Sequence, residues 1–559
     1  MREDLFHPKL FSLFKEYNLG QFGRDLLAGL LVAIIALPLS IAFGIASGVT
    51  PAIGLMTAIV GGFIVSFFSG SSVQISGPTG AFVVFVYEII RNFGLTGLLQ
   101  ATFIAGILLV IMGLSKVGSW LKFISRPVVV GFTAGIAASI FISQIKDALG
   151  LSMGAVPPQF IDKIVIFWNV IDSTNFYALG ITLFTLAVVQ IIYHFKKSFP
   201  APFVALLLAT LIVYYFQLPI ETIYSRFGQL SLTLEYVPLF PLSLERITEL
   251  FPAAITIALL GGIESLLCAL VADGMTGGKH RSNTELIAQG IGNIFTPLLG
   301  GIPVTGAISR TAANIRAGGR TPIAGLAHAL FLFIIILFLK DLVVFIPMAS
   351  LAAVLMLIAY NMSEWRSWRH IYQSTKADFF VFLTTFGLTV FLDLIAAIQV
   401  GVLLSAFMFV DKMAKAASLK KLEGKFNQVS ESREQGRTAT DIKTLVIPND
   451  LDVYEFQGAL FFGASAKFDQ AFQELGPSKN KIAMRFNQIT TIDASALHLL
   501  RGFAEDLAKE GRELFFTELN TECYAIVIHS TLVEVLPKEH IFKTLDGLLN
   551  HIQAAKPQQ

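Results

Sequence analysis

Thr79-Gly80-Ala81 and Thr305-Gly306-Ala307 open two short apolar segments, each just after a proline, and together they could hold an anion at membrane depth. Proline gives up no hydrogen bond at the start of a helix, glycine lets a ligand approach the backbone, and threonine adds a hydroxyl donor. A helix that starts inside the bilayer presents free N–H groups and about half a positive charge at that end. Two such ends that meet make an anion site. The threonines of Pro78-Thr79-Gly80-Ala81 and Pro303-Val304-Thr305-Gly306-Ala307 lie 305 − 79 = 226 residues apart, and Leu39-Ser40 matches Glu264-Ser265 at 264 − 39 = 225. One long unit therefore occurs twice. Broken helices at corresponding positions of two halves mark a binding site between them.

Charged residues at this depth are few, and each carries information. Arg310, in Ile308-Ser309-Arg310-Thr311, adds a fixed positive charge, so a carboxylate, sulfate or bicarbonate could bind without a sodium ion. The expected anion-binding set is Thr79, Gly80, Ala81, Gly306, Ala307, Ser309 and Arg310. Glu264, in Gly261-Gly262-Ile263-Glu264-Ser265, is either the partner of Arg310 or the group that carries a proton. Asp273 reads as an interfacial charge, His328 as structural, Cys268 as packing and Glu88 as facing an aqueous vestibule. No metal site and no cofactor is expected.

These elements need a membrane around them. Hydrophobic residues make up 54% of the 559 and charged residues 14%, against about 25% charged in soluble domains. Met1-Arg2-Glu3-Asp4 has no basic run leading into an apolar core, which argues against a cleaved signal peptide. Cys268 and Cys523 make no disulfide framework, and the net charge of +2, without a basic face or motif, predicts no nucleic-acid partner. Apolar runs fall near 24–46, 51–69, 78–91, 95–114, 126–146, 174–193, 200–218, 249–273, 285–299, 305–316, 322–340, 342–361, 377–393 and 395–411. They divide as seven plus seven. An odd number per unit makes the second unit enter the membrane in the opposite sense, so the repeats are inverted. Lys116, Lys122 and Arg126, then Lys196 and Lys197, then Lys279, His280 and Arg281, then Arg316 and Arg320, then Arg366, Arg369 and Lys376 all fall on alternate loops. The positive-inside rule puts those loops and both termini in the cytoplasm.

Lys412, Lys415, Lys420, Lys421 and Lys425 begin a basic juxtamembrane segment that suits anionic lipid headgroups. Beyond it strands and helices alternate: strand over 453–464, helix over 466–475, strand over 481–486, helix over 494–509, strand over 513–517 and helix over 522–530. That pattern predicts an α/β layer with a mainly parallel sheet.

The runs Gln74-Ile75-Ser76-Gly77-Pro78-Thr79-Gly80, Gly262-Ile263-Glu264-Ser265 through Ala272-Asp273-Gly274-Met275-Thr276-Gly277, and Gln289-Gly290-Ile291-Gly292-Asn293 followed by Thr311-Ala312-Ala313-Asn314 resemble the SulP anion transporter (sulfate permease) family. The resemblance covers essentially the whole chain. It implies a core domain and a gate domain drawn from both repeats, an anion held by the third and tenth segments, an elevator-like motion, and a C-terminal STAS domain. The wording around Glu264 and Asp273 is most similar to the bacterial four-carbon dicarboxylic acid transporter branch. Where the sodium-coupled bicarbonate branch builds a cation site, this chain has Glu264, Cys268, Ile308 and Arg310, which argues against sodium coupling. Where several members carry a polar or acidic residue on the first span, it has Leu39, so no proton carrier stands there. Asp493-Ala494-Ser495-Ala496 resembles a phosphorylatable STAS signature, with Ser495 as the regulatory candidate; N-capping of the helix explains Ser495 equally well.

The expected fold class is thus a polytopic α-helical membrane protein of inverted repeats with a soluble α/β tail. Its expected parts are a cytoplasmic segment 1–23, repeat one 24–218, an external connection 219–248, repeat two 249–411, a basic linker 412–440 and the STAS-like domain 441–559. The expected function is secondary active, proton-coupled transport of a small anion across a bacterial inner membrane, by a homodimer whose tail meets a cytoplasmic protein partner. The alternative is a membrane sensor or scaffold that no longer transports and signals through its tail. A uracil- or xanthine-type permease would need polar side chains to read a base edge, and Arg310 beside two helix ends favours an anion instead. No enzymatic activity is expected.

Overall fold

The computed structural model describes residues 6–15, 17–119, 125–154, 156–157, 159–195, 199–229, 242–392, 394–422, 425–434, 437–473 and 479–554. Met1-Arg2-Glu3-Asp4, Lys122, Lys196, Lys197 and the middle of the expected external connection lie outside them. The chain forms two compact units, Met1–Ser405 and Ala406–Gln559.

The first unit is helical. Its first half runs α1 (Leu19–Ala46), α2 (Pro51–Phe68), the short strand β1 (Ser76–Gly77), α3 (Gly80–Leu114), α4 (Arg126–Ser143), α5 (Ile145–Leu149), α6 (Phe160–Asn169), α7 (Phe176–Phe195), α8 (Ala201–Phe216) and α9 (Ile223–Phe227). Its second half runs α10 (Leu244–Thr276), α11 (Ser282–Leu298), β2 (Thr305–Gly306), α12 (Ile308–Arg316), α13 (Pro322–Val343), α14 (Met348–Met362), α15 (Trp365–Gln373), α16 (Lys376–Phe391) and α17 (Leu394–Ala416). Among the described residues eight helical stretches are long and apolar enough to cross a membrane, two of them made by α4 with α5 and α14 with α15. Gly94 (φ 72°, ψ 177°) breaks α3 into arms 80–93 and 95–114, a left-handed backbone that glycine adopts without a steric penalty. With that break the expected apolar runs correspond one to one to α1, α2, both arms of α3, α4, α7, α8, α10 to α14, α16 and α17. The short helices α5, α6, α9 and α15 are additions to the expected set.

Caps fix several starts. Asn18 accepts from the Gln21 N–H at 2.8 Å to begin α1, and Thr50 with Pro51 begins α2. Asp25, fully buried, ties α1 to the start of α13, accepting from Tyr17 Oη at 3.0 Å, Gln21 Nε2 at 2.9 Å, the Arg320 N–H at 2.9 Å and Thr321 Oγ1 at 2.6 Å.

Packing sorts the helices into two groups. α1 to α3 and α10 to α13 pack on one another, while α4, α7, α14 and α16 pack together, and α1, α3 and α14 carry the contacts between the groups. Lipid is as apolar as leucine, so close backbone approach rather than water exclusion must hold such helices together. At the α3/α11 crossing a Cβ on Gly106 would lie 2.8 Å from Gly290 O, and one on Gly290 would lie 2.7 Å from Gly106 O. Only glycine fits on both sides.

The second unit is an α/β layer. Its five-stranded sheet has the order β3 (Ser418–Leu422), β6 (Leu451–Leu460), β7 (Lys481–Ile492), β8 (Glu513–Thr517), β9 (Ile541–Phe542), with β6 to β9 parallel and β3 antiparallel at the edge. A separate antiparallel pair joins β4 (Lys425–Glu434) to β5 (Arg437–Val446). Helices α18 (Ser465–Gln473), α19 (Ala494–Lys509), α20 (Thr521–Ile528) and α21 (Leu545–Ala554) complete it. The mainly parallel sheet agrees with the strand and helix alternation of the sequence. The segment 412–440 is not a plain linker: the end of α17, the edge strand β3 and most of the β4/β5 pair fall within it. Ser495 is not the cap of α19, because Asp493 accepts from the Ala496 N–H at 2.9 Å; Ser495 lies exposed in the first turn.

Gly290→Val forces α11 away from α3, and overpacking at a backbone contact costs about 1–3 kcal/mol or more. The expected result is a clear fall in the melting temperature of the purified protein, with the surface change Gly274→Ala as a control that should cause no fall, since nothing lies within 4 Å of a Cβ at that position.

Candidate functional site

β1 and β2 pair antiparallel, Ser76 opposite Gly306 and Gly77 opposite Thr305. Each strand runs within two residues into a helix, so the strands leave the pair in opposite directions and α3 and α12 start back to back. Thr79 is the N-cap of α3 and Ala307 that of α12, and neither side chain accepts a bond from its helix. Among the described residues no side chain caps the first turn of either helix, and only the Phe82 N–H of α3 turns back, to Thr79 O at 3.3 Å.

Arg310, one turn into α12, is 1% exposed, the largest side chain among the fully buried ones. Its Nη2 donates to Pro78 O, and its Nη1 is buried without a partner. Gly77 makes room for it, since a Cβ there would lie 2.5 Å from Nη1. The expected site residues Thr79, Gly80, Ala81, Gly306, Ala307 and Arg310 are all buried around this point, while Ser309 is exposed on the first turn of α12. Met362 of α14 and Phe43 of α1 stand against Gly80, where a Cβ would lie 2.7 Å from Met362 Sδ and 3.4 Å from Phe43 Cε1.

Glu264 does not pair directly with Arg310 among the described residues; it accepts from Thr79 Oγ1 at 3.1 Å. The reason is geometric: the guanidinium reaches across to the carbonyl before α3 instead of along α10. The other motif threonine is also taken, Thr305 Oγ1 donating to Gly261 O at 2.8 Å. Cys268 Sγ lies 3.2 Å from Thr311 Oγ1, which accepts from the Ile75 N–H at 2.9 Å. Gly261, Glu264, Ser265 and Cys268 form one stripe of α10, and that stripe touches the approach to both half-helices.

Sequence reasoning missed Glu285. It is fully buried on α11 and accepts from Ser69 Oγ at 2.7 Å, the Gly70 N–H at 2.9 Å, the Ser71 N–H at 3.2 Å, Gln74 Nε2 at 2.9 Å, Ser265 Oγ at 3.0 Å and Gln289 Nε2 at 2.9 Å. Gln289 Nε2 also donates to Ser76 Oγ at 3.0 Å, and Asn293 holds Val304 on both its N–H at 2.9 Å and its carbonyl at 2.8 Å. One carboxylate and two amides thus anchor both strands. Glu285, Gln289 and Asn293 recur every four residues, a polar stripe on an otherwise apolar helix that was the available signal. Asp273 accepts from the His280 N–H at 2.9 Å, and its Oδ2 lies 2.7 Å from His280 Nδ1. His328 is fully buried, with neither ring nitrogen bonded. Among the described residues no cluster of His, Cys, Asp and Glu could hold a metal ion.

Two opposed half-helix starts in a bundle of membrane-spanning helices suit a multi-pass membrane transporter rather than an enzyme. The sequence pattern of the Sulfate permease family matches residues 22–385, and that of the STAS domain matches 442–548. The chain belongs to the sulfate permease family. YvdB of Bacillus subtilis is 37% identical over 96% of this chain and 98% of its own length. The bicarbonate transporter BicA of Picosynechococcus is 29% identical over 88% of each chain. Among solved structures, the transmembrane domain of a cyanobacterial bicarbonate transporter BicA superposes with a TM-score of 0.62 at 30% identity, over 68% of this chain and 98% of that one. The murine Slc26a9 anion transporter in its inward-facing state superposes with a TM-score of 0.83 over 98% of this chain and 94% of that one, and at 17% identity that likeness speaks for the fold.

Glu285→Ala removes the acceptor of six donors and leaves them buried and unpaired, at about 1–3 kcal/mol for each one that finds no other partner. Folded protein should be largely lost, as size-exclusion chromatography in detergent will read, with Glu285→Gln intermediate because it keeps one acceptor oxygen.

Proposed function

We propose that the chain is a secondary active transporter of a small oxyanion, with the ion held between the N-termini of α3 and α12 and neutralised by Arg310. The observation that carries this is the buried guanidinium whose Nη1 has no protein partner, placed where two helix ends point their N–H groups. A buried guanidinium whose hydrogen bonds are incomplete is costly unless a ligand completes them. Dipoles and one guanidinium suit sulfate, bicarbonate or a short dicarboxylate alike, and the relatives named for bicarbonate and the family named for sulfate support that class.

Glu264 is the proposed proton carrier. When it is ionised, Thr79 must spend its single hydroxyl proton on the carboxylate. When it is protonated, the carboxyl donates to Thr79 Oγ1, and the threonine proton can turn to the anion. Proton and anion then favour each other's binding. The two helix groups support an elevator-like movement, the half-helices riding with α1, α2, α10, α11 and α13 against α4, α7, α14 and α16. The protein is proposed to act as a homodimer in a bacterial inner membrane with both termini cytoplasmic, its tail, including Ser495 as a phosphorylation candidate, meeting a regulatory protein.

Two experiments test this. In liposomes loaded with purified protein, Arg310→Ala should weaken anion uptake about a hundredfold or more, the scale on which truncating one partner of a buried charged contact acts. Wild-type affinity in folded Arg310→Ala protein would remove Arg310 from the site, and absence of any uptake by the natural chain would favour a sensor. In the same assay uptake should rise as external pH falls, and Glu264→Gln, unable to exchange a proton, should flatten that dependence. Uptake driven by a sodium gradient and indifferent to pH would overturn the coupling.

A further inference from the structure

A cavity of about 270 Å3 adjoins the first arm of α3, walled by Val83, Val84 and Tyr87 of that helix, Ser139 and Ser143 of α4, and Lys163 of α6. Val83 and Val84 lie one turn along from Gly80, so the cavity lies alongside the half-helix that forms the anion site. Helix α6 is built inside out. Ile161, Ile164, Val165 and Trp168 are exposed, whereas Lys163 and Phe167, one turn apart, form its buried face. On an ordinary amphipathic helix the ammonium would take the wet side and the apolar residues the buried one.

Lys163 is only 8% exposed, yet among the described residues no hydrogen bond or ion pair reaches its ammonium, and Ser139 Oγ likewise has no partner. The other cations that line the cavity are engaged. Arg226 donates to both oxygens of Asp147, at 2.6 and 3.1 Å, and also meets Glu221; Lys146 Nζ donates to Gly154 O at 2.8 Å. Burial lowers the Lys163 ammonium from its ordinary range, the mark of a cation with nothing to offset its desolvation. An anion in the cavity would supply the missing charge.

We infer that this cavity is a receiving site, where Lys163 Nζ and Ser139 Oγ hold the small oxyanion before it reaches the ends of α3 and α12. The inference rests on the anion-transport reading, and it adds a separate place, a separate cation and a separate readout. A cation on the anion's approach raises the local concentration of an anion and so acts on half-saturation more than on maximal rate.

The test uses the full chain in liposomes, with sulfate, bicarbonate and succinate each as the external anion. Lys163→Gln should raise the half-saturation concentration for the carried anion about fivefold, the effect of one unit charge near contact in a water-filled mouth, while maximal rate changes less than about twofold. Lys163→Arg should restore it. A purely structural lysine would instead lower folded yield and maximal rate and leave half-saturation alone. Independently of transport, the carried anion should slow acylation of Lys163 by an N-hydroxysuccinimide ester in the natural chain, read by peptide mass spectrometry, while leaving the exposed Lys538 of the second unit unprotected. That protection should persist in Arg310→Ala protein. Unchanged half-saturation in Lys163→Gln together with unprotected acylation overturns the receiving site and leaves the Arg310 site untouched. Absence of uptake by the natural chain overturns the transport reading, and acylation in the presence of each of the three anions still decides whether the cavity binds one.

Discussion

The membrane unit depends on what happens to backbone polar groups where two helices are broken. In hydrocarbon an unpaired N–H or C=O costs several kcal/mol, so non-helical chain is tolerated there only when it is paired or faces a polar cavity. Here four residues settle most of that demand: Ser76 and Gly77 pair with Gly306 and Thr305. The Ile75 and Ala307 backbones add a bond, Ala307 N–H to Ile75 O at 2.9 Å. Everything else at the centre follows from this ladder. Because it is antiparallel, the two helices that leave it diverge, each starting within three residues of the pair.

Two buried charges near that ladder have opposite fates. Glu285 meets six donors and has nothing left to offer a ligand. Arg310 has one carbonyl and an unpartnered Nη1. A charge whose hydrogen bonds are complete fixes structure, and a charge whose bonds are incomplete stores an affinity for something else. By this criterion Glu285 is a rivet, and Arg310 is the charge to which the proposed site assigns its anion, although both are buried on helices of the second repeat.

Much of the transport fold was legible in the sequence because its signals are local. Pro78-Thr79-Gly80 and Thr305-Gly306 break apolar runs, and a break at membrane depth has few physical explanations. Arg310 and Glu264 stood out because charges in apolar runs are rare. The β1/β2 pairing was invisible, since strands of two residues have no periodicity to detect. Glu285 was hidden by its place in the first turn of α11, where an acid is an ordinary helix-end residue. Its partners Ser69, Gln74 and Ser265 come from segments far away in the chain. The direct Arg310 to Glu264 pair failed for a similar reason: both lie near the site, yet the carbonyl of Pro78, which no sequence pattern exposes, is what the guanidinium reaches. In the tail, alternation gave the strands and helices, whereas the edge strand β3 was masked by its lysines, Lys420 and Lys421, which read as juxtamembrane charge.

The α10 stripe gives the site its mechanical character. Gly261 takes the hydroxyl of Thr305, Glu264 that of Thr79, Ser265 joins Gln74 to Glu285, and Cys268 meets Thr311. One rigid helix therefore touches the lead-in or first turns of both half-helices, from opposite repeats, within about two turns of its own length. Such a strut resists any motion that would separate the two N-termini. Any rearrangement that keeps these bonds moves α3, α10 and α12 together, and the yielding surface lies elsewhere. The contacts of α1 and α3 with α4, α8 and α14 are the ones that remain. At that boundary Gly80 faces Met362, a thioether that changes shape at little cost, so the start of α3 meets the opposing group through a soft side chain instead of a locked polar pair.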